Sequence, residues 1–432
     1  MKRLLGAVLA MVLLFTSLAM IAAAEPAPEA ALAKRLKFKQ DGTFKIIQLA
    51  DLQESRYSSN ITKDFLLDLA RSEQPDLFVL TGDNITDAKS NKKNPEKSRA
   101  LVKKSIAAFM DVFDEIYRQY GIPVTMVLGN HDAEAVKSVN REDQFNMYAE
   151  HESFIGIAIP EADEGAVGLN NPHYGTHNLL VYDKNDNEPT FNIWMFDSGD
   201  YSHEGFGWAY DAVQKPQIDW FNKTNAELGK LPSVAFQHII VPEIFDFLTP
   251  AQPDEKNSFK YKLYQYNEPG YGEENLVLVD GKPVEIEKHV SAVLPDGMKG
   301  ELNEYPCPGK FNYGQYAALS EAGNIHALFV GHEHKNTFEI RRDDGTDLVN
   351  TPASGFGSYG KAKLRGVRVI TLNEEDLSDY ETEVIFYNDY YSGWLRWTRL
   401  RLFEGIKYYA NPIDAVIFRP LLRLIDRIKG TA

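Results

Sequence analysis

FKIIQLADLQ (residues 44–53), LFVLTGDN (77–84) and VTMVLGNHD (124–132) share one construction: an apolar run of strand length stops on a carboxylate or amide beside small residues. Short apolar runs closed by Gly, Asn or Asp read as buried strands that end in turns. Two stretches of helical spacing lie between them. One covers about residues 62–72; the other, 95–120, sets Val102, Ile106, Phe109, Phe113, Ile116 and Tyr120 on one face. Strand and helix alternate, which places the chain in the α/β class, with a sheet layered by helices.

The pattern continues downstream. Strands are expected over 177–182, 191–196, 234–236, 325–330, 337–341, 367–372 and 381–387, and helices over 214–228 and 313–322. Two stretches fit poorly, 133–172 and 243–310. Both read as insertions above the strand ends, the second carrying loops that shape a substrate cleft. Open α/β sheets place ligands where strands stop, and polar residues recur at those points here.

The N-terminus reads Lys2-Arg3, an apolar run from Leu4 to about Met20, then Ala22-Ala23-Ala24 before Glu25. That order of charge, apolar core and small residues is a secretory signal, with cleavage expected after Ala24 and a secreted or cell-envelope location. The competing reading is an uncleaved anchor, but the run is near the lower length limit for spanning. No Cys stands there to accept a lipid. Residues 25–43 then form a linker, 44–390 the main domain and 391–432 a basic extension.

The composition is 44% hydrophobic, enough for a sizeable core, and the single Cys307 excludes an internal disulfide. The net charge of −16 repels phosphate backbones and argues against a nucleic-acid partner. It favours cationic metals.

Five strand ends carry chemistry: Asp51-Leu52-Gln53, Gly82-Asp83-Asn84, Gly129-Asn130-His131-Asp132, Gln237-His238 and Gly331-His332-Glu333-His334. Carboxylates, amide oxygens and imidazoles together suit manganese, iron, zinc or magnesium, in contrast to the thiolate set of structural zinc. Asp83 is suited to bridge two ions, and glycines 82, 129 and 331 would let the backbone turn sharply beside a crowded centre. Singly, each motif has a bland reading as a helix cap, a turn or a core histidine. Five in succession, each at a strand end, do not.

The order, spacing and flanking runs of these motifs resemble the calcineurin-like metallophosphoesterase superfamily over about residues 44–372. Within it, residues 236–243, 311–314, 331–336 and 355–370 resemble the branch containing a yeast dosage-dependent cell-cycle-regulator phosphatase and plant purple-acid-phosphatase-29-like proteins. The resemblance implies a four-layer α/β/β/α sandwich holding two divalent metal ions at the loops on one edge. Asp51 and His334 would then ligate the first metal, Asp83 would bridge, and Asn130, His238 and His332 would ligate the second. His131 becomes the catalytic, non-ligand histidine that contacts phosphate and protonates the leaving group. Gln53 departs from the pattern, which has histidine there; either it coordinates through its amide oxygen or it only shapes the pocket. A purple enzyme needs a tyrosine ligand shortly after the bridging aspartate, and Asn84-Ile85-Thr86-Asp87 offers none.

The implied activity is hydrolysis of phosphomonoesters, with phosphodiesters as the second class, through a metal-activated hydroxide. The rival is a non-catalytic metal-dependent binding protein, should Gln53 weaken the first site. Ser198 lacks a nucleophile elbow, and the aromatic, Gly-rich stretch 197–210, with His203, is a candidate cleft lining. Finally, Val416, Ile417, Leu421, Leu424, Ile425 and Ile428 fall on one helical stripe with Arg419, Arg423, Arg427 and Lys429 off it. This amphipathic helix either rests on an anionic membrane surface or packs on the main domain, with Pro420 kinking or starting it.

Overall fold

Side chains alternate along each strand, and this sorts them into three apolar layers. From Thr43–Leu49 and Leu77–Thr81, Phe44, Ile46, Leu77 and Val79 point one way while Ile47, Leu49, Phe78 and Leu80 point the other. The first set meets Phe191, Ile193, Val234 and Phe329 of a second sheet, so the two sheets enclose a common core. The computed structural model in which this is seen describes residues 35–86, 93–135, 138–156, 175–202, 209–268, 273–342 and 345–429. The expected signal and its cleavage site lie outside the described residues. Residues Leu36–Ala432 pack as one compact unit.

One sheet has five strands, in the order Asp376–Phe386, Gly366–Asn373, Thr43–Leu49, Leu77–Thr81, Val124–Val127. The last three run parallel and the first two antiparallel. The other has seven, in the order Leu36–Lys37, His177–Tyr182, Pro189–Met195, Ser233–Phe236, Ile325–Val330, Asp347–Asn350, Glu339–Ile340. Helices Asn60–Glu73 and Pro95–Tyr120 cover the outer face of the first sheet. Helices Lys215–Glu227 and Gln315–Ala322 cover that of the second. The result is the expected α/β/β/α sandwich.

Local chemistry sets the helix limits. Pro95–Tyr120 opens where the Asn94 side chain accepts the Lys97 N–H and closes at Gly121 in the left-handed region. A buried arginine ties the sheets together: Arg368, on Gly366–Asn373, donates to Glu339 Oε1 at 2.8 Å and to the carbonyls of Thr337 and Asn350, both at 3.0 Å. With its donors so engaged the buried charge is tolerated.

The structure differs from expectation in five places. Within the expected linker, Leu36–Lys37 is an edge strand paired with Val181 and Tyr182. The insertion 133–172 contains helix Arg141–Ala149, and 243–310 contains the antiparallel pair Ser258–Tyr264 and Glu285–Ser291 in place of loops alone. The strand expected over 337–341 is only Glu339–Ile340, and its neighbour Asp347–Asn350 escaped notice because two of its four residues are polar. Asp347 is buried as an acceptor from Tyr380 Oη at 2.8 Å and Arg342 N–H at 2.6 Å, so hydropathy gave no signal. Last, the tail becomes helical at Trp394, well before residue 413. Pro420 does not break it; the preceding turn, Asp414–Phe418, widens to a π-turn, relieving the ring's clash with the carbonyl four residues earlier.

Candidate metal centre

Parallel pairing persists beyond the strand ends and lays the motif loops side by side. Asp51 N–H donates to Gly82 O at 3.2 Å, Gln53 N–H to Asp83 O at 2.8 Å, and Gly331 N–H to His238 O at 3.1 Å. The backbone then turns hard. Asp51, Gln53, Asp83 and His332 all have φ between 43° and 71°, a left-handed conformation that costs a non-glycine residue about 1–2 kcal/mol. Such strain persists only where the surroundings hold it, and it clusters at functional sites.

Crowding explains two of the glycines. Gly82 has φ 82°, and a Cβ there would lie 2.6 Å from His238 Nδ1. At Gly129 a Cβ would lie 2.3 Å from Asp83 Oδ1. Neither Gly129 nor Gly331 has positive φ, so close approach, not a turn, requires glycine at 129.

The eight expected site residues converge. The ligand atoms of Asp51, Asp83 and His238 lie within 4.8 Å of one another, all buried. His238 Nδ1 sits 2.8 Å from the Thr81 carbonyl, which takes its proton-bearing side and leaves Nε2 facing Asp83 Oδ2 at 3.5 Å and Asn130 Oδ1 at 3.1 Å. His334 repeats the device: Nδ1 lies 2.9 Å from Tyr359 O, and Nε2 faces Asp51 Oδ1 at 3.1 Å. The His332 ring stands 5.0 Å from that of His238, and the His332 backbone N–H donates to Asp51 Oδ2 at 3.0 Å. Asn130 Nδ2 donates to Tyr201 Oη at 2.8 Å, which turns the amide oxygen inward.

Gln53 is the exception in orientation. Its amide nitrogen donates to Asp83 Oδ2 at 3.3 Å, and a nitrogen that carries hydrogens is no ligand. His131 stands apart in another way. Its side chain is 43% exposed, its N–H donates to Asp83 Oδ1 at 2.7 Å, and its Nδ1 is held by Glu134 at 2.7 Å, while Nε2 is 4.0 Å from Asp83 Oδ2.

The electrostatics are those of a cation site. Burial penalises the Asp83 charge, yet facing His238, with His131 and His332, holds this carboxyl below the usual range. Burial also opposes charge on His238, but Asp83 and then Asp51 push it up to about 10. His332, buried and beside His238, is pushed down to about 3. Asp51 Oδ1 is buried without a hydrogen-bond partner, although His334 Nε2 is close by. Burial opposes charge on His334, but the facing Asp51 raises its pKa, so this carboxylate oxygen and imidazole nitrogen already attract a positive charge between them, as a shared cation would require.

The sequence reading missed several supports. Asp132, within the third motif but given no role, accepts N–H groups from Gly129 at 2.9 Å, Asn84 at 3.1 Å and Ile85 at 3.1 Å, pinning two motif loops together. Burial, then repulsion from Asp83, pushes it up to about 6. Tyr359 stacks on His334 with ring centroids 4.0 Å apart, and Tyr210 meets the His332 ring edge-on at 4.5 Å. Tyr359 is placed by buried Arg365, which donates to Ser358 O at 2.9 Å. Tyr201 and Tyr210 belong to the aromatic stretch read as a cleft lining; His203 lies outside the described residues. Ser198 Oγ accepts the Ile239 N–H at 3.0 Å, a structural role.

Among known proteins, the chain is 26% identical to "Probable inactive purple acid phosphatase 29" of Arabidopsis thaliana over 390 residues, covering 81% of this chain and 82% of that one. It is 26% identical to the phosphatase DCR2 of Saccharomyces cerevisiae over 279 residues, covering 59% of this chain and 44% of that one. A crystal structure of a dimetal phosphatase from Danio rerio aligns with a TM-score of 0.42 at 11% identity, covering 79% of this chain and 98% of that one. The model of the calcineurin-like phosphoesterase family matches residues 44–336, more than half of the 432-residue chain and the span holding all five motifs. The chain therefore belongs to the calcineurin-like phosphoesterase family.

Proposed function

We propose that the protein is an exported phosphoesterase that uses two divalent ions and acts first on phosphomonoesters. The observation that carries this is the buried meeting of Asp51, Asp83 and His238, with Asp51 Oδ1 left without a hydrogen-bond partner. Asp51 and His334 would hold one ion, Asn130, His238 and His332 the other, and Asp83 would bridge. When bound, such ions supply Lewis acidity and an acidified water. The chain supplies the rest. Thr81 and Tyr359 carbonyls fix two imidazole tautomers. The hydrogen bond to Glu134, outweighing partial burial, raises the His131 pKa and so favours the charged form, with Nε2 directed inward to give a proton to a leaving oxygen. The yeast relative's name as a phosphatase supports monoesters by analogy, and the N-terminal sequence supports export.

A second reading, a non-catalytic metal-dependent binder, is favoured by the Gln53 nitrogen facing Asp83 and by the word inactive in the plant relative's name. Protein reconstituted with Mn²⁺ or Zn²⁺ is assayed on p-nitrophenyl phosphate and its bis ester, with bound metal measured in parallel. The enzyme reading expects turnover, faster on the monoester; full metal occupancy with turnover on neither substrate supports the binder.

Gln53→His is expected to tighten metal binding by about tenfold, the low end of what a change around a metal ligand produces. Imidazole needs no amide reversal, and histidine enters the left-handed region more readily than most residues. Chelator competition measures it; unchanged affinity would mean that residue 53 faces no ion.

Metal uptake is also expected to release a proton. In the metal-free protein His238 carries one up to about pH 10, and ligation through Nε2 must displace it, whereas His332 is already neutral. Apparent affinity therefore rises with pH, by up to about tenfold per unit for each proton released, from mildly acidic pH to about 10. Calorimetry in buffers of different ionisation enthalpy counts the proton; zero release would place His238 outside the ligand set.

A further inference from the structure

The C-terminal helices show two faces. Toward the domain, Leu400, Phe403, Ala410, Phe418 and Leu422 are buried, and the joint is locked by charge: Arg399 pairs with Asp414 and Asp64, and Arg419 with Asp64. The other face is apolar and open. Ile413, Ile417, Leu421, Leu424 and Ile428 recur every three or four residues, each exposed by 41% or more, and Ile428 by 77%. On the adjoining helix, Trp394 is 77% exposed and Trp397 50%. Docking thus uses only part of the apolar stripe that the sequence displays.

We propose that this face lies on an anionic phospholipid surface. The charge around it selects that occupant. In a chain of net charge −16, residues from Ser392 onward carry Arg396, Arg399, Arg401, Lys407, Arg419, Arg423, Arg427 and Lys429 against only Glu404, Asp414 and Asp426. Exposed Arg423 and Arg427 make no ion pair among the described residues. With four further arginines they line a cavity of about 330 Å³ between tail and domain, which contains only three acids, Asp64, Asp68 and Asp426. This space suits a phosphate headgroup drawn in beside the apolar stripe. Tryptophans on an apolar face with flanking arginines are the chemistry of a helix at a membrane interface. A second copy of the chain would bring the same basic cluster against itself, which opposes pairing through this face. No described helix is long and apolar enough to cross a membrane, so the helices lie on the surface.

The test uses residues 25–432, which contain the complete compact unit and lack the apolar N-terminus. The probe is sedimentation with vesicles of phosphatidylcholine alone or mixed with phosphatidylglycerol. Binding is expected only to the mixed vesicles and is expected to weaken with salt. The double variant Leu424→Glu/Ile428→Glu should reduce it at least tenfold, with metal content and thermal unfolding unchanged because both side chains face solvent. Arg423→Glu/Arg427→Glu should abolish the preference for the anionic lipid. Absence of binding to the mixed vesicles overturns the proposal. So does undiminished binding by the folded Leu424→Glu/Ile428→Glu variant, or a dimer in solution that this variant dissolves. Phosphatase activity plays no part in the readout, so this inference and the proposed reaction stand or fall separately.

Discussion

Asp83→Ala is expected to abolish turnover and the metal-dependent gain in stability together. Asp83 occupies the middle of the site: its carboxylate faces His238 at 3.5 Å, accepts the His131 N–H at 2.7 Å, and lies against Gln53 and Gly129. Removing it takes away the bridging ligand and should weaken metal binding by more than the roughly 10–100-fold loss that follows from deleting an outer-shell partner. In the wild type, metal at about 100 times its Kd should stabilise the fold by about 2.7 kcal/mol per site. The variant should lose this shift under the same conditions. Thermal unfolding with and without Mn²⁺, beside metal analysis and p-nitrophenyl phosphate hydrolysis, makes the comparison. A variant that still binds two ions and turns over at the wild-type rate would remove the case for a bridged pair.

His131→Ala should separate binding from chemistry. Half exposed at the mouth of the site, the imidazole is oriented by Glu134 and not by a backbone carbonyl, unlike His238 and His334. Its loss should leave metal content near that of the wild type and lower turnover by about 10²–10⁴, the usual contribution of a positioned acid. The pH profile gives a second signature. The hydrogen bond that His131 Nδ1 donates to Glu134, against partial burial, raises the His131 pKa, so the acid form is complete below the ordinary histidine value and is lost as pH climbs through the raised one. The wild-type rate should therefore fall on the alkaline side, and the variant should lack that limb. Loss of metal alongside activity would make His131 a ligand and overturn its assignment as the acid.

Much of this centre was legible before any coordinates. The five motifs holding Asp51, Asp83, Asn130, His238, His332 and His334 could be picked out because each follows an apolar run, and strand ends are where this class of fold gathers polar groups; within the motifs it was the family resemblance that singled out these residues. The supports were harder to see. Asp132 serves three backbone N–H groups from loops 48 residues apart in the chain, and Tyr359 acts through a ring stacked on a histidine 25 residues upstream. No local pattern encodes such partners. Asp347–Asn350 was missed for a related reason, since its buried aspartate satisfies its hydrogen bonds tertiarily and leaves no apolar alternation to read.

Sequence by itself settled the strand and helix alternation, the α/β class and the strand-end motifs that carry metal-type donors, because periodicity and residue chemistry are properties of neighbours along the chain. Only the tertiary structure decided how those donors are aimed. The Thr81 and Tyr359 carbonyls choose the imidazole tautomers, Gln53 turns its nitrogen to Asp83, and the tail docks with one flank of its stripe while leaving the other bare. Orientation of a side chain depends on what packs against it from distant parts of the chain, and that information exists only once the two sheets have closed on each other.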